Sequence, residues 1–146
     1  MKSDDIRIRE YLDTDYDMIV KLWTLIHLTR SNGTIESAEE LHTTLQYNPT
    51  TFLVVELAGK IIGSVIGTYD GRRGYIAKAG LYPEFQRKGI GSKVGRELIT
   101  RMKARGVKEI MGFVNKDNQK VLAFYQKFGI QIKEDIIPVE LNLRNI

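Results

Sequence analysis

The spacing of hydrophobic and polar positions changes period several times along the chain, and each change predicts an element. Ile6-Arg7-Ile8-Arg9 alternates and predicts a first strand. From Asp15 to about Leu28, apolar residues at Met18, Ile19, Leu22, Trp23, Leu25 and Ile26 keep helical spacing. A second helix is predicted from Ser37, an N-cap with Glu40 at its third position, to about Gln46, and Pro49 is expected to end it. Phe52 to Leu57 reads as a strand, Ala58-Gly59-Lys60 as a hairpin turn and Ile61 to Tyr69 as the partner strand. Asp70-Gly71 signals a further turn into a strand from about Gly74 to Leu81, which completes an antiparallel meander. Thereafter the pattern predicts a helix over Gly89–Arg105, a strand over Glu109–Val114, a helix over Asn118–Phe128 and two strands up to Leu143. The order β-α-α-β-β-β-α-β-α-β-β is mixed α/β, with a sheet partly antiparallel and partly parallel. No linker or repeat interrupts the 146 residues, so one domain over 1–146 is expected.

Composition narrows the chemistry. The chain is 42% hydrophobic and 27% charged, which suits a soluble globular fold. No apolar run reaches the roughly 18 residues that a membrane span needs, so no membrane partner is expected. The polar start Met1-Lys2-Ser3-Asp4-Asp5 lacks the apolar core of a signal peptide, and a cytoplasmic location is expected by default. With no cysteine, disulfides, thiolate metal sites and a cysteine nucleophile are excluded. His27 and His42 are the only histidines, so no metal centre is expected. The net charge of +4 is concentrated in basic residues between Arg72 and Lys108, which favours one local anionic ligand over a long nucleic-acid track. The basic cluster also lacks interleaved aromatics, so nucleic acid is not expected as a partner.

The long predicted helix places Ile90, Val94, Leu98 and Met102 four residues apart, with Ile99 beside them, as a stripe facing the sheet. Gly91 and Gly95 lie one turn apart, where a helix can approach a strand closely, and Lys93, Arg96, Arg101 and Lys103 mark the opposite face. Ahead of this helix, Pro83 fixes a turn and Gln86-Arg87-Lys88-Gly89-Ile90-Gly91 runs into the first helical turn. Free amide N–H groups and the positive end of the helix dipole make such a start an anion site. Glycines at 89 and 91 let a phosphate reach the backbone, and Arg87 and Lys88 add charge at the rim. A tight strand-to-helix turn would use the same glycines. The P-loop pattern is absent, and for the dinucleotide fingerprint Gly95 falls one residue late.

Leu81-Tyr82-Pro83-Glu84-Phe85-Gln86-Arg87-Lys88-Gly89-Ile90-Gly91 resembles the acetyl-CoA signature of the GNAT superfamily of N-acetyltransferases, Gln/Arg-x-x-Gly-x-Gly/Ala after an apolar-x-Pro strand end. The element order is similar to that family's across essentially the whole chain. Gly67 to Gly74 further resembles its small bacterial YpeA-like branch. The resemblance implies a central mixed, mostly antiparallel sheet flanked by helices and splayed between the fourth and fifth strands. It implies acetyl-CoA as donor and an amine acceptor, on a small molecule or at a protein N-terminus or lysine. Backbone amides of Arg87, Lys88, Gly89, Ile90, Gly91 and Ser92, next to Gln86, would hold the pyrophosphate, and Ala79, Gly80 and Leu81 would pair with the pantetheine arm. Arg87, Lys88, Arg96 and Lys120 remain open as partners of the 3′-phosphate.

The segment Asn115 to Gly129 resembles the family's Asn-x6-Tyr block. It implies that Asn118 binds pantetheine and that Tyr125 protonates the departing thiolate. On spacing alone Asn118 is a helix cap, and Val121, Phe124, Tyr125 and Phe128 are a core stripe. Some family members carry a glutamate base five residues before the asparagine, where this chain has Phe113. Asp70, Glu84, Glu134, Asp135 and water remain open as the base. Direct attack by the amine in a ternary complex is the simplest mechanism for a chain without cysteine. The early helices and the Tyr69–Arg73 turn are expected to wall the acceptor site; Trp23 reads as core, His27 as a substrate contact or a polar helix residue, and His42 as solvent-facing. Arg72 and Arg73 either read an acidic acceptor or solvate a hairpin tip. A non-catalytic acyl-CoA-binding or sensor domain is the competing reading, and homodimerisation is an expectation by analogy with related folds.

Overall fold

The computed structural model describes residues 5–30, 32–47 and 50–146, so Met1–Asp4 and Pro49 lie outside the described residues. The chain divides into two compact units, Met1–Phe113 and Val114–Ile146. The first unit holds strands β1 (Ile6–Glu10), β2 (Thr50–Leu57), β3 (Lys60–Tyr69), β4 (Gly74–Leu81) and β5 (Ile110–Gly112), with helices α1 (Tyr16–Leu25), α2 (Ala38–Gln46) and α3 (Ile90–Ala104). The second holds α4 (Gln119–Gln126) and a final 3-10 turn at Leu143–Asn145.

The sheet runs β1-β2-β3-β4-β5, antiparallel throughout except for β5, which lies parallel to β4. Strands β2 and β3 are buried on both faces, and that is why they read as nearly continuous apolar runs. On one face Leu53, Val55, Ile62 and Val65 meet Ile90, Val94, Leu98 and Met102 of α3, the stripe expected from spacing. On the other, Phe52, Val54, Ile61 and Ile66 meet Ile19, Leu22 and Trp23 of α1 and Leu41 of α2. Trp23 is fully buried and stacks on Phe52, whose ring also stacks on Tyr11. The capping box at α2 forms as predicted: Glu40 N–H donates to Ser37 Oγ at 3.1 Å, and Ser37 N–H donates to Glu40 Oε1 at 3.0 Å.

Two predictions change. Helix α1 stops at Leu25 instead of Leu28, because His27 takes a left-handed φ of 60° and turns the chain out of the helix. Among the described residues none after Gly112 lies in a strand, although two were expected there. The alternation in Ile136–Leu143 supplies a strand's side-chain pattern, but a strand also needs a ladder, and Pro138 removes one donor. Ile137, Val139, Leu141 and Leu143 are exposed, so no second layer rewards the alternation.

One polar cluster fixes how the chain enters the sheet. Arg9 on β1 donates twice to Asp15, at 2.8 and 3.0 Å, and also to Glu56 on β2 at 3.1 Å. Asp15, buried at 7% exposure, accepts the Leu12 N–H at 2.8 Å as well. The Arg9 guanidinium holds the Asp15 carboxyl below the usual carboxylate range, and the Leu12 amide adds to this. Asp15→Asn should therefore lower unfolding free energy by about 1–3 kcal/mol at neutral pH. Because the folded pKa is depressed, the stabilisation is present above the unfolded value near 4 and fades as pH falls through the folded one. Denaturant titrations of both proteins from pH 7 to pH 3 should show their difference shrinking with acid.

Candidate active site

Strand β4 pairs with β3 along its whole length, from Tyr69↔Gly74 to Gly63↔Leu81, but with β5 only at Gly74, Tyr75 and Ile76. Its second edge is therefore free of a strand ladder from Ala77 to Leu81 among the described residues, and the sheet opens between its fourth and fifth strands. Such an edge presents backbone donors and acceptors to an extended, amide-bearing ligand. The opening begins beside a bulge: Ala77 faces Ile66 and Gly80 faces Ser64, so Lys78 and Ala79 share the space opposite Val65. At Gly80 the strand is closely covered: a Cβ would stand 2.5 Å from Ile26 Cδ1, so Ile26 would have to shift to admit one.

Beyond β4 the chain makes a 3-10 turn at Pro83–Phe85. The Gln86 N–H donates to the Pro83 carbonyl at 3.1 Å, and its side-chain amide donates back to the Leu81 carbonyl at 3.1 Å. Gln86 thus braces the turn with both of its donor groups. Arg87 follows with a left-handed φ of 61°, and Gly89 at φ 80° is the N-cap of α3. The helix ladder starts with the Lys93 N–H on the Gly89 carbonyl, which leaves the Ile90, Gly91 and Ser92 N–H groups ahead of it. A Cβ at Gly89 would meet nothing within 4 Å, so the approach to these amides is open. Arg87, Lys88, Lys93 and Arg96 are exposed around them, and no acidic side chain occupies the first helical turn. Anion binding at a helix start needs this arrangement.

In the second unit Asn118 caps α4, its side chain accepting the Val121 N–H at 3.2 Å. Tyr125 is half-buried beside Phe124, whose ring packs edge-on against Phe128. Burial raises the Tyr125 phenol above its ordinary pKa, so it keeps its proton through neutral pH. Lys120 is exposed on the same helix.

The remaining candidates separate clearly. Asp70 accepts the Arg72 and Arg73 N–H groups, both at 2.8 Å, and these bonds lower its pKa, which makes it a turn residue and a poor base. Arg73 pairs with Glu109 at 3.4 Å. The tip carrying Arg72 and Arg73 lies at the far end of β4 from Leu81, roughly 20 Å away by strand rise. Glu84, Glu134, Asp135 and Phe113 are exposed. His27 is exposed, and His42 faces solvent 3.8 Å from Asp13. Sequence reasoning missed Lys78 and Glu36, which face each other at 3.1 Å beneath Trp23. A charged residue inside an otherwise apolar-and-small strand (Gly74 to Leu81) was the available signal.

Comparison with known proteins identifies an acyltransferase. The Acetyltransferase (GNAT) family model matches residues 16–130, and the chain belongs to that family. An acetyltransferase of Sodalis glossinidius is 30% identical over 132 residues, covering 90% of this chain and 92% of that protein. One of Pectobacterium atrosepticum is 34% identical over 122 residues, covering 84% and 85%. Among solved structures, an aminoglycoside acetyltransferase from an uncultured soil metagenomic sample, in complex with trehalose, is similar with a TM-score of 0.77. Its identity is 21%, over 97% of this chain and 98% of that one. The PaiA N-acetyltransferase of Thermoplasma acidophilum, in complex with coenzyme A, is similar with a TM-score of 0.74 at 20% identity, over 90% and 92%. Both share the fold.

Gly89→Ala tests the loop's backbone directly. The new methyl meets no atom, so its whole effect is the left-handed φ, and stability should fall by about 1 kcal/mol. Thermal unfolding of the two proteins checks this; an unchanged midpoint would remove the conformational reason for a glycine there.

Proposed function

We propose that residues 1–146 act as one N-acetyltransferase domain that moves acetyl from acetyl-CoA to a primary amine by direct attack in a ternary complex. The observation that carries the reading is the start of α3, where three amides stand free beside an open, basic approach. The family membership, spanning 16–130, supports the pyrophosphate of an acyl-CoA as that anion. The coenzyme A bound to the PaiA enzyme supports the same donor class.

In this reading the amides of Arg87 to Ser92 hold the pyrophosphate while Gln86 braces the turn that aims them. The free edge of Ala79, Gly80 and Leu81 pairs with the pantetheine amides, and Asn118 binds the same arm. The amine nitrogen forms its bond to the thioester carbonyl carbon, and the carbon–sulfur bond breaks. The amine's proton leaves to water or to a carboxylate, and Tyr125 donates its phenolic proton to the thiolate. Its raised pKa suits an acid that must arrive protonated. The acceptor class is a primary amine on a small molecule, peptide or protein.

Thiol release from acetyl-CoA across an amine panel tests the reading. Binding of CoA without turnover of any amine would instead mark a non-catalytic acyl-CoA-binding domain. Tyr125→Phe should lower kcat by about 10–100-fold with CoA affinity unchanged. Full turnover by this variant from pH 6 to pH 9 would remove the proton-donor role.

A further inference from the structure

Lys78 is held in a way that its place in the strand does not require. It takes a left-handed φ of 54° at the β4 bulge, a conformation that costs a residue with a Cβ about 1 kcal/mol or more and that glycine would adopt without cost. Both ends of the residue are gripped. Its carbonyl accepts Ser64 Oγ at 2.8 Å, and Ser64 Oγ in turn accepts the Trp23 indole N–H at 2.8 Å. Its ammonium donates to the Leu28 carbonyl at 2.8 Å, stands 3.1 Å from Glu36 Oε1 and lies 4.8 Å from the centre of the Trp23 ring. The interactions close a circuit from backbone to β3 to α1 and back to the same side chain.

Glu36 is anchored separately, its carbonyl accepting the Tyr16 hydroxyl at 2.7 Å. The connection after α1 is thus fastened to β4 at one residue, while Ile26 and Leu28 cover Gly80 two residues on. The bulge lies just past Ile76, the last β4 residue paired with β5. A buried ion pair adds little net stability against an apolar filler of the same shape, so its worth here is geometric.

We propose that Lys78 is a positioning residue for acyl transfer: its ammonium, clamped by Leu28, Glu36 and Trp23, holds the β4 edge at Ala79–Leu81 in the orientation the acyl arm pairs with. The proposal rests on the acetyltransferase reading and on β4 as the pantetheine strand. It differs from a stabilising role, because glycine at 78 would relieve the backbone strain and still lose the clamp.

The test uses the full chain with Lys78→Gly, Lys78→Met, Lys78→Arg and Glu36→Gln. Three readouts are compared: thermal midpoint, acetyl-CoA turnover, and amide hydrogen exchange over residues 26–30, 32–36 and 77–81 without ligand. In Lys78→Met and Lys78→Gly, exchange in these segments should speed up by about tenfold. Their kcat should fall by about tenfold or more, with the Kd for CoA within about threefold of the original. Lys78→Gly should melt no lower than Lys78→Met yet share its loss of kcat, and Lys78→Arg should recover kcat to within about threefold. Glu36→Gln should fall between. Unchanged kcat in Lys78→Gly or Lys78→Met overturns the proposal, as does faster exchange without loss of kcat. If the unaltered protein turns over none of the amines in the panel, the acetyltransferase reading fails by itself. The exchange measurement then still decides whether Lys78 holds the two segments together.

Discussion

Two adjacent strands that must be covered on both faces set the architecture of the first unit. β2 and β3 carry apolar side chains toward α3 and toward α1 and α2 alike, and removing either layer would leave a continuous hydrophobic surface in water. The residues that allow such close covering are small ones. Gly67 and Gly74 sit where a Cβ would run into Met102, and Gly80 sits under Ile26 and Leu28. With both layers committed to the centre, the sheet's later strands carry the irregularities. β5 is short and leaves β4 after Ile76, and β4 itself bulges at Lys78.

Those irregularities are also where the proposed site lies. A regular parallel pair of full length would satisfy the amides of Ala77 to Leu81 internally and leave nothing for a ligand. The chain after β4 follows the same logic at the helix start. Pro83 and Gln86 fix the turn, Gly89 supplies the left-handed cap, and the first amides of α3 have no side chain to satisfy them. At the left-handed φ of Gly89 an Asp or Ser would be strained and would lack the extended backbone from which a side chain caps a helix, so the glycine goes with a helix start that has no side-chain cap.

What the sequence reveals divides along physical lines. Elements whose cause is local or periodic were legible: the α3 stripe at Ile90, Val94, Leu98 and Met102, the Ser37–Glu40 capping box, the Ala58-Gly59 turn and the meander it joins. The helix-start loop was legible as a candidate anion site because glycine, proline and charge stand in a fixed order over nine residues, Pro83 to Gly91. Its assignment to acetyl-CoA came from family resemblance and not from the loop's chemistry. What depends on a distant partner was not legible. The pattern up to Leu143 predicted two strands, but a ladder is a property of paired segments, which side-chain spacing in either one does not specify. Spacing left Arg72 and Arg73 open between reading an acceptor and solvating a hairpin tip; only the length of β4 shows how far that tip lies from Leu81.

Lys78 shows the same limit from the other side. Read as sequence, a lysine in Gly74-Tyr75-Ile76-Ala77-Lys78-Ala79-Gly80-Leu81 belongs on the solvent face of an alternating strand. The bulge breaks the alternation there, and the side chain enters the layer beneath Trp23, with only 12% exposure. Its neutralising partner, Glu36, lies 42 positions earlier in a connection with no regular structure. No local pattern encodes that pairing; it exists because α1 ends at Leu25 and the chain must cross β4 before α2 begins at Ala38. A strained backbone, a buried charge and the opening of the sheet therefore meet at one residue. Each is costly alone, and all three are concentrated on a few residues of the β4 edge.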